Sequence, residues 1–186
     1  MRLYSRATLR ALALVLGVSN AATAATVIPP PPVAACSPAP LPCTPARKSK
    51  LQLDFVRHRL SWKWSARNVV SFGQLSNPTL NRAGYDLCVY DASGALFIAT
   101  GVPPGGVCSG RPCWRAKPWG YEYRSADGQS LGVTKIMLKV AHRVDKLLVT
   151  GAGSSLPMPP TPPASALTVQ LVRSDEHTAC WTSTAP

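Results

Sequence analysis

Acidic side chains are scarce in this chain: eight Asp and Glu stand against 20 Lys and Arg over 186 residues. That scarcity argues against several kinds of chemistry. A glycosidase needs two carboxylates held a few ångströms apart. Asp86 and Glu122 are the candidates on expected strands, and nothing in the sequence pairs them. Asp127-Gly128 lacks the alternating oxygen ligands of a calcium loop. Histidine is rarer still: His58, His142 and His177 lie far apart, with no His-Glu-x-x-His spacing for a metal. No Gly-x-Ser-x-Gly elbow presents a nucleophile. The chain therefore reads as a non-enzyme without metal or cofactor, and a hydrolase of unrecognised type is the disfavoured alternative. Long apolar runs are also missing. The longest, Ala11 to Val18, falls well short of the ~20 residues that span a bilayer.

That run belongs instead to a leader. Arg2, Arg6 and Arg10 precede it and Ala22-Thr23-Ala24 supplies small residues for cleavage, so residues 1–24 read as a signal peptide. Export to the cell surface, the periplasm or the medium follows. Val33-Ala34-Ala35-Cys36 also matches a lipoprotein box, which would anchor the protein at Cys36. However, Pro29 to Pro32 separate it from the apolar run, as such signals normally do not allow. Without the leader arginines the balance is 17 basic to 8 acidic residues, a formal +9. That charge favours anionic partners, or simply keeps the protein in solution. The sequence leaves the partner unknown, with acidic polysaccharide or a surface protein as the candidates and nucleic acid unfavoured for an exported chain.

Six cysteines in an exported chain indicate disulfides. Six allow 15 pairings, so spacing has to guide the choice. Cys36 and Cys43 share one proline-rich stretch and can close on each other. Cys108 and Cys113 bracket the turn-like Ser-Gly-Arg-Pro, and a zinc site would need a second such pair. Cys88 and Cys180 remain, and their bridge would close about 90 residues, worth roughly 4 to 5 kcal/mol.

Residues 25–46 are largely proline and alanine and read as an extended linker. From residue 47 to 186 the pattern is one of strands. Tyr85 to Tyr90 alternates, with Tyr85, Leu87 and Val89 on one face and Asp86, Cys88 and Tyr90 on the other. Asp91 and Gly94 suit the ends of a type I turn before the run from Leu96. Leu60, Trp62 and Trp64 share a face, where a core role is commoner than a sugar-stacking ladder. Residues 65–83 show no period and read as a long connection. Prolines exclude a helix from Leu156 to Ala166. With about nine or ten short strands and no convincing helix, the expected fold is all-β, a disulfide-stapled antiparallel sandwich.

One stretch combines aromatic and basic residues. Trp114, Trp119, Tyr121 and Tyr123 could stack on sugar rings, with Arg111, Arg115 and Lys117 meeting acidic groups. In the alternative, Trp114 packs on the Cys108–Cys113 bridge and the rest is core.

The order of Leu60-Ser61-Trp62-Lys63-Trp64, Tyr85-Asp86-Leu87-Cys88-Val89-Tyr90-Asp91, Gly105-Gly106-Val107-Cys108 with Arg111-Pro112-Cys113-Trp114, Lys135-Ile136-Met137-Leu138-Lys139, Leu156-Pro157-Met158-Pro159, Val169-Gln170-Leu171 and Cys180-Trp181 resembles an uncharacterised β-domain family of exported bacterial proteins. The resemblance covers roughly residues 50 to 183, a span the size of one domain. It implies export and a β-fold, with no activity attached. The turn at Arg124 to Gly128 departs from it in carrying fewer acids. The favoured reading is a non-catalytic secreted or cell-surface module, and the alternative is a lectin-like module for acidic polysaccharide.

Overall fold

The structure, a computed structural model, describes residues 35–163, 165–175 and 179–186. The expected leader and the first part of the expected linker lie outside these residues, as does His177. The described chain is an all-β sandwich. One sheet has the order β1 (Thr44–Pro45), β13 (Cys180–Ala185), β12 (Leu167–Arg173), β4 (Tyr85–Tyr90), β5 (Leu96–Val102). The other has the order β2 (Lys48–Asp54), β3 (Arg59–Ala66), β11 (Asp145–Ala152), β10 (Val133–Lys139), β9 (Gly120–Arg124), β8 (Trp114–Lys117). A small hairpin of β6 (Val107–Cys108) and β7 (Arg111–Pro112) stands apart from both. All named pairings are antiparallel except β1 on β13.

Alternation builds the core. Leu60, Trp62 and Trp64 from β3, Ile136 and Leu138 from β10, and Leu147 and Val149 from β11 point inward. They meet Leu87, Val89, Val169, Leu171 and Trp181 of the other sheet. Trp62 and Trp64 are thus core residues. Their indole N–H groups donate across the sandwich to Ser183 Oγ at 2.8 Å and to the Thr182 carbonyl at 3.1 Å. A buried indole without such a partner would cost about 1–3 kcal/mol. The Asp91 turn forms as expected: Gly94 N–H donates to the Asp91 carbonyl at 3.0 Å, with Gly94 at φ +81.

The cysteine pairing corrects the expectation drawn from spacing. Cys36 joins Cys88 and Cys43 joins Cys180, in place of Cys36–Cys43 and Cys88–Cys180. The sheet order gives the reason. Cys88 on β4 and Cys180 on β13 are separated by β12, and two strand spacings come to about 9–10 Å, beyond disulfide reach. Cys108 does join Cys113. With its sulfur held by Cys88, Cys36 has no thiol to offer for lipid attachment.

The expected linker is corrected as well, from residue 35 onward. Residues 35–43 form a strap across the outer face of the five-stranded sheet. Ala35 is buried and its N–H donates to Asp86 Oδ2 at 3.1 Å. The Tyr90 hydroxyl donates to the Ser37 carbonyl at 3.0 Å. Over β12 the Gln170 amide acts like a short piece of strand, accepting from Leu41 N–H at 3.0 Å and donating to its carbonyl at 2.7 Å. All six residues of β4 are therefore buried, including the Asp86, Cys88 and Tyr90 face. Gly101 stands opposite Asp86, and a Cβ there would lie 1.9 Å from Asp86 Oδ1. The absence of a side chain leaves the carboxylate room to reach the strap.

The connection 65–83 holds a helical turn, α1 (Phe72–Leu75), and a 3-10 turn at Pro78–Leu80. Ser71 and Gln74 form a capping box, a signal present in the sequence as Ser-x-x-Gln. Among the described residues, no helix is long and apolar enough to cross a membrane. Three disulfides fit a non-cytoplasmic protein.

Candidate functional site

Strand alternation that fills the core with one set of residues sends the other set outward. On the six-stranded sheet that outward set is strongly basic. By register it comprises Lys48 and Lys50 of β2, Arg59 and Lys63 of β3, Lys146 of β11, Lys135 and Lys139 of β10, Arg124 of β9, and Arg115 and Lys117 of β8. Its acids are Asp54 and Glu122. Lys50 stands directly opposite Lys63, and Lys139 directly opposite Lys146. Directly opposed like charges destabilise a sheet, so the fold carries these pairs at a cost. Met137 and Leu148 sit between them over a shallow depression of about 350 Å³ rimmed by Lys48, Lys50, Lys63 and Lys146. Within each couple the two strands are about 4.8 Å apart, and the row of Lys50 and Lys63 lies about 6.7 Å along the strands from the row of Lys146 and Lys139.

Glu122 is the anionic centre of the face. Its carboxylate meets Arg124 at 2.9 Å, Lys135 at 3.4 Å and Lys117 at 4.0 Å. Burial pushes its acid up, but the bond and charge of Arg124, with those of Lys135, outweigh that and hold it below the usual carboxylate range.

The aromatic members of the predicted cluster separate. Trp114 and Tyr123 are core residues, which corrects their reading as a stacking surface. Trp114 packs edge-on to Tyr123 with ring centres 5.4 Å apart, and against Tyr85 at 5.6 Å. Its indole N–H donates to the Pro103 carbonyl at 2.9 Å. The Tyr123 hydroxyl lies 3.7 Å from Cys108 Sγ. Tyr121 points inward and is half-buried. Arg111 is exposed on the separate β6–β7 hairpin, off the basic face. Arg115 and Lys117 are on that face.

Trp114 borders a depression beside Asn81 and Pro112 but is itself buried, whereas Trp119 is part-exposed and lines a second one. It sits in the β8–β9 turn, at the end of the sheet where the β10–β11 turn and the chain after β3 also lie. The hollow, of about 520 Å³, is lined by Trp119, Phe72, Asn68, Lys139 and His142, with Asp145 behind. Phe72 is 47% exposed. Buried Asp145 holds two walls in place: Oδ2 accepts from the N–H groups of Val69 and Val70 at 2.9 and 3.0 Å, and Oδ1 from Ala141 N–H at 3.1 Å. The capping box of α1 fixes Phe72, and Arg173 Nη1 donates to the Gln74 carbonyl at 2.7 Å.

Asp86 and Glu122 do not meet. They lie on the outer faces of opposite sheets, with a sandwich core of about 10 Å between the sheets, so they cannot flank one glycosidic bond. Among the described residues, no group of three or more His, Cys, Asp and Glu could hold a metal ion. Neither the register-paired lysines nor Phe72 belongs to the set expected from sequence. Each lysine was legible in its own alternating strand, but the sheet order that brings them together was not. Compared with models of protein families, with curated proteins and with solved structures, the chain matches none.

Proposed function

We propose that the protein is a non-catalytic exported module that holds an anionic polymer against the outer face of its six-stranded sheet. The observation that carries this reading is the pair of in-register lysine couples, Lys50–Lys63 and Lys139–Lys146. A sheet selected for stability alone would not oppose like charges where serine or threonine serves. An anion bridging each couple removes the repulsion and gains charge-assisted contacts, so ligand binding converts a cost into an attraction. Two couples on successive cross-strand rows suit charges repeated along an extended chain better than a single small anion. The leader-like N-terminus and the disulfides support a working place at the cell surface, in the periplasm or in the medium, and leave nucleic acid the unfavoured polymer.

The test is retention on immobilised inorganic polyphosphate at low and at physiological salt. Lys50→Glu with Lys146→Glu is expected to weaken binding at least tenfold, while Arg82→Glu with Arg111→Glu, the same charge change at exposed positions off this face, leaves it within twofold. Equal losses in both variants would reduce the interaction to net charge and overturn the reading.

A further inference from the structure

The basic face ends at the hollow that holds Trp119 and Phe72. Lys139 belongs to both: its register position puts it on the face opposite Lys146, and it also lines the hollow. Lys117 lies two residues before Trp119, where β8 leaves the same face. A chain lying on the lysine rows therefore reaches two solvent-accessible aromatic rings without leaving the sheet.

We infer that this hollow is a sugar subsite and that the polymer held by the basic face is an acidic glycan. The inference rests on the polyanion reading above and names its ligand. Three features support it. Aromatic rings offer apolar faces, and the C–H faces of a sugar ring are what such surfaces stack upon. Asn68 and His142 supply directional polar groups of the kind that orient ring hydroxyls, while Lys139 supplies the counter-charge for a ring carboxylate or sulfate. The walls are also preformed. Asp145 ties the 69–70 segment and the 141 turn to one carboxylate, and α1 is fixed by its capping box and by Arg173. A preformed site loses little ordering entropy on binding.

The protein carries its own reporter. Trp62, Trp64, Trp114 and Trp181 are at most 2% exposed. Trp119 is the indole most open to a ligand, and the part of an emission change that Trp119→Ala removes is the part that arises from it.

The experiment titrates the oxidised full chain with polygalacturonate oligomers, inorganic polyphosphate and neutral dextran. Indole emission and affinity are followed together. Polygalacturonate is expected to bind saturably and shift the emission. Polyphosphate is expected to bind and leave the emission unchanged, and dextran to bind at least tenfold more weakly than polygalacturonate. Trp119→Ala and, as a variant at a more exposed position, Phe72→Ala are each expected to weaken polygalacturonate about tenfold and polyphosphate less than twofold. Polyphosphate binding with polygalacturonate insensitive to both variants would overturn the sugar subsite and leave the polyanion reading standing. Failure of both anionic polymers to bind would overturn both. Dextran binding as tightly as polygalacturonate would overturn the acidic character of the ligand.

Discussion

The two outer faces of this sandwich meet opposite fates. On the five-stranded sheet the outward residues of β4 and β12 include Cys88, Tyr90 and Val172, and the strap 35–43 covers them with two disulfides and a set of hydrogen bonds. On the six-stranded sheet the outward residues are mainly Lys, Arg, Ser and Thr, and no described segment covers them. An apolar outer face acquires a third layer because leaving it wet costs about 25 cal/mol per Å². A basic outer face can stay in water. The contrast separates the part of the molecule that holds it together from the part available to a ligand.

The largest effect expected on this contrast comes from cutting the strap loose. Replacing Cys43 and Cys180 with serine is expected to lower unfolding free energy by about 5 kcal/mol, and replacing Cys36 and Cys88 by about 4 kcal/mol. Urea titration reads the loss. Polyphosphate binding by whatever fraction stays folded should not change, because it uses the other face. A loss below about 1 kcal/mol would mean that the strap is an ornament on an already stable sandwich.

A smaller break needs no cysteine. Gly101→Ala places a Cβ against Asp86, turns its carboxylate away from Ala35 N–H, and is expected to cost about 1–3 kcal/mol. Thermal unfolding should show it, again with binding intact.

On the bare face, Glu122→Gln should move two observables in opposite directions. Arg124, Lys135 and Lys117 lose their shared anion, so stability falls by about 1 kcal/mol. The face gains positive charge, so polyphosphate affinity rises. The pH dependence follows the same logic. The Glu122 acid is held below its ordinary value when folded, so its contribution is fully present above the ordinary value of 4.5. It is lost as pH falls from there through the lower, folded value. The wild type should lose this increment of stability in that acid window and Glu122→Gln should not. Parallel acid curves for the two proteins would remove Glu122 from the account.

The smallest effect expected is a gain. Lys63→Glu turns the Lys50 couple into an opposite-charge pair, stabilising by about 0.2–1 kcal/mol while weakening polymer binding. Chemical denaturation and retention on polyphosphate, measured on one preparation, should diverge. If both fall together, the couple is not a functional concession.

Much of this was legible from the chain alone, strand by strand. The Tyr85–Ile98 hairpin, its Asp91–Gly94 turn and the inward Trp62 and Trp64 all follow from period-two alternation and turn chemistry, which are local. The disulfide pairing is not local. It depends on β12 lying between β4 and β13, and the β12–β4 half of that relation joins residues 78 to 88 positions apart, which no spacing announces. The strap was hidden by its own composition, since a run of proline and alanine describes a spacer equally well. A signal did exist: Cys88, Tyr90 and Val172 are poor choices for a wet face, and their presence there asked for a cover. The basic face was hidden in the same way as the disulfides, with each lysine ordinary in its own strand and unusual only in the assembled order. Trp119 was singled out with Trp114 and Tyr123 because sequence proximity cannot tell a turn from the inward side of a strand.

The pairing of Cys43 with Cys180 also has a mechanical meaning. These residues are 137 positions apart, yet one covalent bond joins them, one just before the first strand and the other at the start of the last. Tension applied between the two ends of the described chain passes through that bond and bypasses the polypeptide between them. Cys36 likewise hands force from the N-terminal side to β4, a central strand, before it reaches Cys43. While the bridges stay oxidised, a pull that would unzip a sandwich from its edges reaches neither β2 nor β8, and the basic face keeps its register under load.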